Sequence, residues 1–116
     1  MDYSKYVCAV PVISKNLSTI TDHFLPINPL GLPKACYYLK IVNDSNYSVV
    51  ISYGDDQFHD FIQSGHYLEI DAGMNDAFPM ISRWKKGQII YALGLDYPFF
   101  KPLGSIKVIG YTTYNP

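Results

Sequence analysis

Tyr37-Tyr38-Leu39-Lys40-Ile41-Val42, then Asn43-Asp44-Ser45-Asn46, then Tyr47-Ser48-Val49-Val50-Ile51-Ser52-Tyr53 is the stretch that decides the fold. It ends a window, Lys34 to Tyr53, that holds no Gly or Pro and is long enough for a helix. Its central tetrad has the composition of a turn and cuts the window in two. On either side β-branched and aromatic residues alternate with period two: Tyr37, Leu39 and Ile41 on one face, then Val49, Ile51 and Tyr53. This pattern predicts two strands joined as a β-hairpin.

Working outward, Gly or Pro recurs at 54, 65, 73, 79, 87, 94, 98, 102, 104 and 110, which leaves room for short strands and little for helices. Strands are predicted at 67–70, 88–93 and 105–113, the last with Ile106 and Val108 inward and Lys107 outward. Toward the N-terminus, 6–13 reads as a strand that Pro11 confines to an edge or an extended arm. Ile13, Leu17, Ile20 and Phe24 recur at helical spacing, but the Ser, Thr, Asn and Asp between them are modest helix formers, and the segment is read as extended. Pro26-Ile27-Asn28-Pro29-Leu30-Gly31-Leu32-Pro33 is a stiff loop. The expectation is an all-β chain: an extended N-terminal arm and Pro-rich loop over 1–33, and over 34–116 an antiparallel β-sandwich, jelly-roll-like, of roughly seven or eight short strands.

With 116 residues the chain fits one domain. Apolar residues make up 48% and charged residues 16%, a composition that builds a core without staples and excludes a disordered tail or a coiled coil. The net charge of −1 speaks against general affinity for nucleic acid or an anionic membrane. That charge is segregated along the chain: +2 over 1–40, −7 over 41–82 and +4 over 83–116. If those blocks fold onto different ends, copies attract head to tail; otherwise they are unrelated solvated turns. Cys8 and Cys36, each beside apolar neighbours, read as buried reduced thiols rather than a disulfide framework or zinc ligands. The apolar run ending at Pro11 is too short for a secretory signal, and no stretch approaches the ~18 apolar residues of a membrane span, so a soluble protein made in a reducing cytoplasm is expected.

Asp55-Asp56-Gln57-Phe58-His59-Asp60, with His66 beyond, offers carboxylates and imidazoles for a divalent ion, but in no metal-site spacing; a solvated loop is the simpler reading, with a partner contact as the alternative. Arg83-Trp84-Lys85-Lys86-Gly87 interleaves cations with the sole Trp, as nucleic-acid readers do, and also reads as an ordinary turn or an interface anchor. No nucleophile elbow, dinucleotide fingerprint or His-paired nucleophile is present, so no enzyme, cofactor or metal is expected. The eleven Tyr, six Phe and one Trp weigh more. A domain this small cannot bury them all, and Tyr97, Phe99, Phe100 and Leu103 fall in a Pro/Gly-rich connection. Together with Tyr3, Tyr6 and Phe24 on the arm, and Trp84, they are the expected partner-binding residues.

Cys36 to Gly54, His59-Asp60, Gly65 to Ile70, Lys86 to Tyr91 and Gly104-Ser105-Ile106-Lys107-Val108-Ile109-Gly110-Tyr111 together resemble the small β-sandwich virion proteins of tailed bacteriophages, of the head-decoration, head-fibre, neck or tail-adaptor type. The likeness departs at Asp55-Asp56 and through the aromatic stretch 95–103. It implies a non-enzymatic, multi-copy part of the virion, assembled in the host cytoplasm, that binds itself and a capsid, neck, fibre or tail protein. The arm Tyr3 to Phe24 would lie on a neighbour or add a strand to its sheet. The alternative is a carbohydrate-binding, lectin-like sandwich using Tyr side chains, Trp84 and the Asp55–His66 region.

Overall fold

Nine strands and one 3-10 turn account for the regular structure of the computed structural model, which describes residues 6–9, 11–54, 56–71 and 84–114. The strands are β1 (Tyr6–Ala9), β2 (Ile13–Asn16), β3 (Leu25–Pro26), β4 (Tyr38–Ser45), β5 (Val49–Ser52), β6 (Asp60–Ile62), β7 (Tyr67–Asp71), β8 (Tyr91–Gly94) and β9 (Gly104–Tyr114). Every pairing is antiparallel. One sheet has the order β1-β9-β4-β7, with β2 also on β9; the other has β3-β8-β5-β6. Along β9, β1 pairs with its last residues and β2 with its first, so β1 and β2 form one edge broken around Pro11, which has no N–H to give.

The pairing is nested. β5 pairs with β6, β4 with β7, β3 with β8 and β2 with β9, as in one long hairpin whose tip is the β5–β6 connection. Rolling that hairpin up adds the pairs β4–β9 and β5–β8, which is the winding of a jelly roll. Inward residues from both sheets, including Leu39, Ile41, Val49, Ile51, Ile62, Ile90, Ile106 and Val108, make one core. Ile106 and Val108 face inward as their alternation with Lys107 requires.

The expected hairpin between 37–42 and 47–53 does not form. β4 and β5 lie in different sheets, because β7 and β9 occupy both edges of β4. Two side chains explain the crossing. Asn43 belongs to β4, inward like Leu39 and Ile41, and its buried Nδ2 donates to the carbonyls of Tyr47 (2.7 Å) and Ile62 (3.0 Å). Tyr47, also fully buried, is drawn into the core, so the turn at 46–48 carries the chain over the core instead of back along β4.

Among the described residues before Lys34, β1, β2 and β3 are extended, and a 3-10 turn at Leu17–Thr19 is capped by the Asn16 side chain on Ser18 N–H (2.9 Å). From Ile13 onward this segment is built into the domain rather than projecting from it. Leu17, Ile20, Ile27 and Leu32 are part of the core, which therefore crosses the expected boundary at 33/34. The charge blocks also intermix: β4 against β7 and β9 sets Lys40 opposite Glu69, and Lys107 Nζ lies 3.3 Å from Asp44. Cys36 is buried as a free thiol, and burial pushes its pKa up; the side chain of Cys8 lies outside the described residues.

A chain beginning at Lys34 lacks four core side chains worth roughly 1.5–3 kcal/mol each, about the whole stability of a small domain. It is predicted to show no cooperative unfolding transition by circular dichroism, whereas the full chain melts as one unit.

Candidate functional site

β4 spans the sandwich. At one end Ser45 pairs with Gly104; seven residues back, at about 3.4 Å each, Tyr38 pairs with Tyr111 at the other. The first end gathers the turn 46–48, the 63–66 loop, the 17–24 segment and the 95–103 loop between β8 and β9.

In that last loop Phe99 is 82% exposed, Leu103 58%, Phe100 45% and Tyr97 36%. Such exposure normally accompanies a loose loop, yet this backbone is tied down along its length. Asp96 accepts from Ser48 N–H (2.8 Å), and Leu95 N–H donates to Ser48 O (2.9 Å). The Asn46 side chain donates to Lys101 O (2.9 Å) and accepts from Leu103 N–H (2.8 Å). The Tyr47 hydroxyl donates to Phe100 O from inside the core, and the two rings meet edge to face with centroids 5.0 Å apart. Gly104 closes the loop at φ +98°, where a Cβ would overlap Asp44 O. The bond Tyr97-Pro98 is cis.

A second apolar surface adjoins the loop on the outside of the β3-β8-β5-β6 sheet. Val50 pairs with Phe61 on one side and Leu93 on the other, so the three share a face, and Val50, Phe58, Phe61 and Leu95 line a depression of about 290 Å³ with His59 and Asp60. Phe24 meets Phe58 edge to face at 5.7 Å. Phe58 (67% exposed) and Phe61 (56%) went unnoticed in the sequence because acids surround them; the signal was the alternation Asp60-Phe61-Ile62, with Ile62 buried.

The expected partner-binding residues thus divide. Tyr97, Phe99, Phe100 and Leu103 come together; Phe24 belongs to the sheet surface beside them. Trp84 sits at the opposite end, half-buried against the core and paired with Cys36 through two backbone hydrogen bonds of 2.9 and 3.0 Å, where it closes the core. Tyr3 and Arg83 lie outside the described residues, and of Tyr6 only the backbone, in β1, is described. The acidic stretch is not one cluster: β6 runs through it and carries His59 and His66 to opposite ends. Asp55 lies outside the described residues, Asp60 accepts from the Tyr53 hydroxyl (2.7 Å), and His59 Nδ1 accepts from Tyr53 N–H (3.0 Å). Lys85-Lys86-Gly87 makes a tight turn, closed by Gln88 N–H on Lys85 O (3.1 Å).

Burial raises the pKa of Tyr53, and the hydrogen bond to Asp60 and that carboxylate's charge add to the effect; burial likewise raises Tyr47, with Tyr97 and Asp96 contributing. Comparison with protein-family models, with curated proteins and with solved structures finds no match to this chain.

Phenols raised in the folded state hold their protons after the unfolded chain has begun to lose them. Their contribution to stability is therefore complete below pH about 10 and is lost as pH rises beyond it. The urea midpoint is predicted to fall steeply above pH about 10, and Tyr53→Phe to flatten that fall.

Proposed function

We propose that the protein is a non-enzymatic structural component of a virus particle, present in many copies, that binds itself and a capsid, neck, fibre or tail partner. The observation that carries this reading is the 95–103 loop, in which four apolar side chains are presented to solvent on a backbone already fixed by Asn46, Tyr47, Ser48 and Asp96. A surface ordered before contact loses little conformational freedom on binding, and rigid aromatic rings give a large contact area per residue. Continued over Phe24, Phe58 and Phe61, it forms an apolar face suited to a protein partner. The jelly-roll winding is used by capsid and by lectin domains alike, so the loop rather than the fold favours assembly. The assignment to a particle draws on the resemblance of residues 36–114 to phage virion proteins.

A second reading, carbohydrate binding, is favoured by the outer face of the other sheet. There Tyr38 and Tyr111 pack edge to face at 5.2 Å and Lys40 Nζ lies 4.5 Å above the Tyr67 ring, an aromatic surface with polar groups among the rings.

The double variant Phe99→Ser with Leu103→Ser separates the two. It alters only exposed positions, so its stability is expected to stay within about 0.5 kcal/mol of the parent. It is expected to lose self-association in sedimentation velocity and incorporation into particles during infection. Undiminished association and incorporation would overturn the assembly reading. Intrinsic fluorescence that responds to a glycan and is lost in Tyr67→Ala would support the second reading.

A further inference from the structure

β2 pairs with β9 on one side, and among the described residues no strand pairs with its other side. Beside that free edge runs a groove of about 510 Å³, within the ~300–1,000 Å³ range of binding sites. Its near wall is Pro11, Ile13 and Lys15; its far wall is Ile27, Pro29 and Leu30, the last 98% exposed. The far wall is fixed: Asn28 is buried, accepting from Ile90 N–H (2.7 Å) and donating to Gln88 O (3.0 Å), and Gly31 N–H donates to Asn28 O (2.8 Å). The groove is the open side of the sandwich, between an edge of each sheet.

Register gives it a chemical preference. Ile13 pairs with Val108 and Lys15 with Ile106, both core residues, and directly paired residues point to the same face. Ile13 and Lys15 therefore point inward, toward the groove, while Ser14 points out. Lys15 is half-buried, and no carboxylate pairs with it among the described residues. An inward cation on an edge strand repels an indiscriminate apolar strand, and it accepts one that brings an acid.

We infer that the β2 edge is a docking site for an extended segment of another protein, added as a further strand, whose inward face carries Asp or Glu opposite Lys15 and an apolar residue opposite Ile13. The partner's backbone completes the free edge, its apolar side chain fills the groove, and its carboxylate meets the ammonium group. This contact is separate from the 95–103 loop and does not depend on it.

The test uses the full chain and two fluorescein-labelled peptides, Lys-Thr-Ile-Thr-Ile-Thr-Glu-Thr-Ile-Lys and the same peptide with Lys in place of Glu, read by fluorescence anisotropy. The Glu peptide is expected to bind about fivefold or more tightly than the Lys peptide. Lys15→Glu should reverse that order and Lys15→Gln abolish the preference, with circular dichroism confirming that each variant is folded. Either variant alone suffices if the other does not fold. Amide exchange at Ser14, whose N–H faces the free edge while those of Ile13 and Lys15 face β9, should slow when the Glu peptide is bound. No binding of either peptide at millimolar concentration, or a preference that ignores Lys15, overturns the inference. So does Lys15-dependent binding of decanoate without binding of the peptide, which would mark a small-amphiphile pocket instead.

Discussion

The fold turns on one buried amide. Asn43 lies on the inward face of β4, where an apolar residue would ordinarily sit, and its Nδ2 holds the carbonyls of Tyr47 and Ile62. The first contact fixes the corner where the chain leaves one sheet for the other; the second ties that corner to the end of β6. Removing the amide takes away both contacts, worth about 0.5–1.5 kcal/mol each. Ser45 supports it by donating from Oγ to Asn43 Oδ1. The consequences spread from Tyr47. Set in the core by this corner, it reaches Phe100 O with its hydroxyl, while its neighbours Asn46 and Ser48 take up Lys101, Leu103, Leu95 and Asp96. The crossing between sheets and the order of the exposed aromatic loop thus have the same cause.

Much of the architecture was legible in the sequence, since period-two alternation and spaced Gly and Pro report strand identity directly. The inward face of β9, the edge character of the first strand and the exposed 95–103 connection all followed from local pattern. Pairing partners did not, because alternation says which face of a strand is buried and not which strand lies beside it. Asn43 shows the difficulty: Asn-Asp-Ser-Asn has turn composition, yet three of its residues are strand, and a buried Asn looks like a solvated one until its acceptors, 4 and 19 residues away, are in place. The core role of Leu17, Ile20, Ile27 and Leu32 was hidden among polar and Pro-rich neighbours. Phe58 and Phe61 were masked in the same way by adjacent acids.

The surplus of rings now divides by purpose. Tyr47 is internal, Trp84 seals one end of the core, Tyr38, Tyr67 and Tyr111 lie on one outer sheet face, and Phe58, Phe61, Phe99 and Phe100 are turned outward on or beside the other. A small domain has more apolar residues than its interior holds, but chance exposure scatters them singly. Here they are contiguous, and at the 95–103 loop they rest on a hydrogen-bonded frame. This arrangement, rather than the ring count, is what favours a binding role.

The central claim is that the exposed aromatic loop is structurally fixed before any partner arrives. Amide hydrogen exchange on the isolated protein tests it most directly. Leu95, Phe99 and Leu103, whose N–H groups donate to Ser48 O, Asp96 O and Asn46 Oδ1, are predicted to exchange far more slowly than an unstructured peptide, with Ser48 protected alongside them. Exchange of these amides at the rate of an unstructured chain, while β5 and β9 remain protected, would contradict the account.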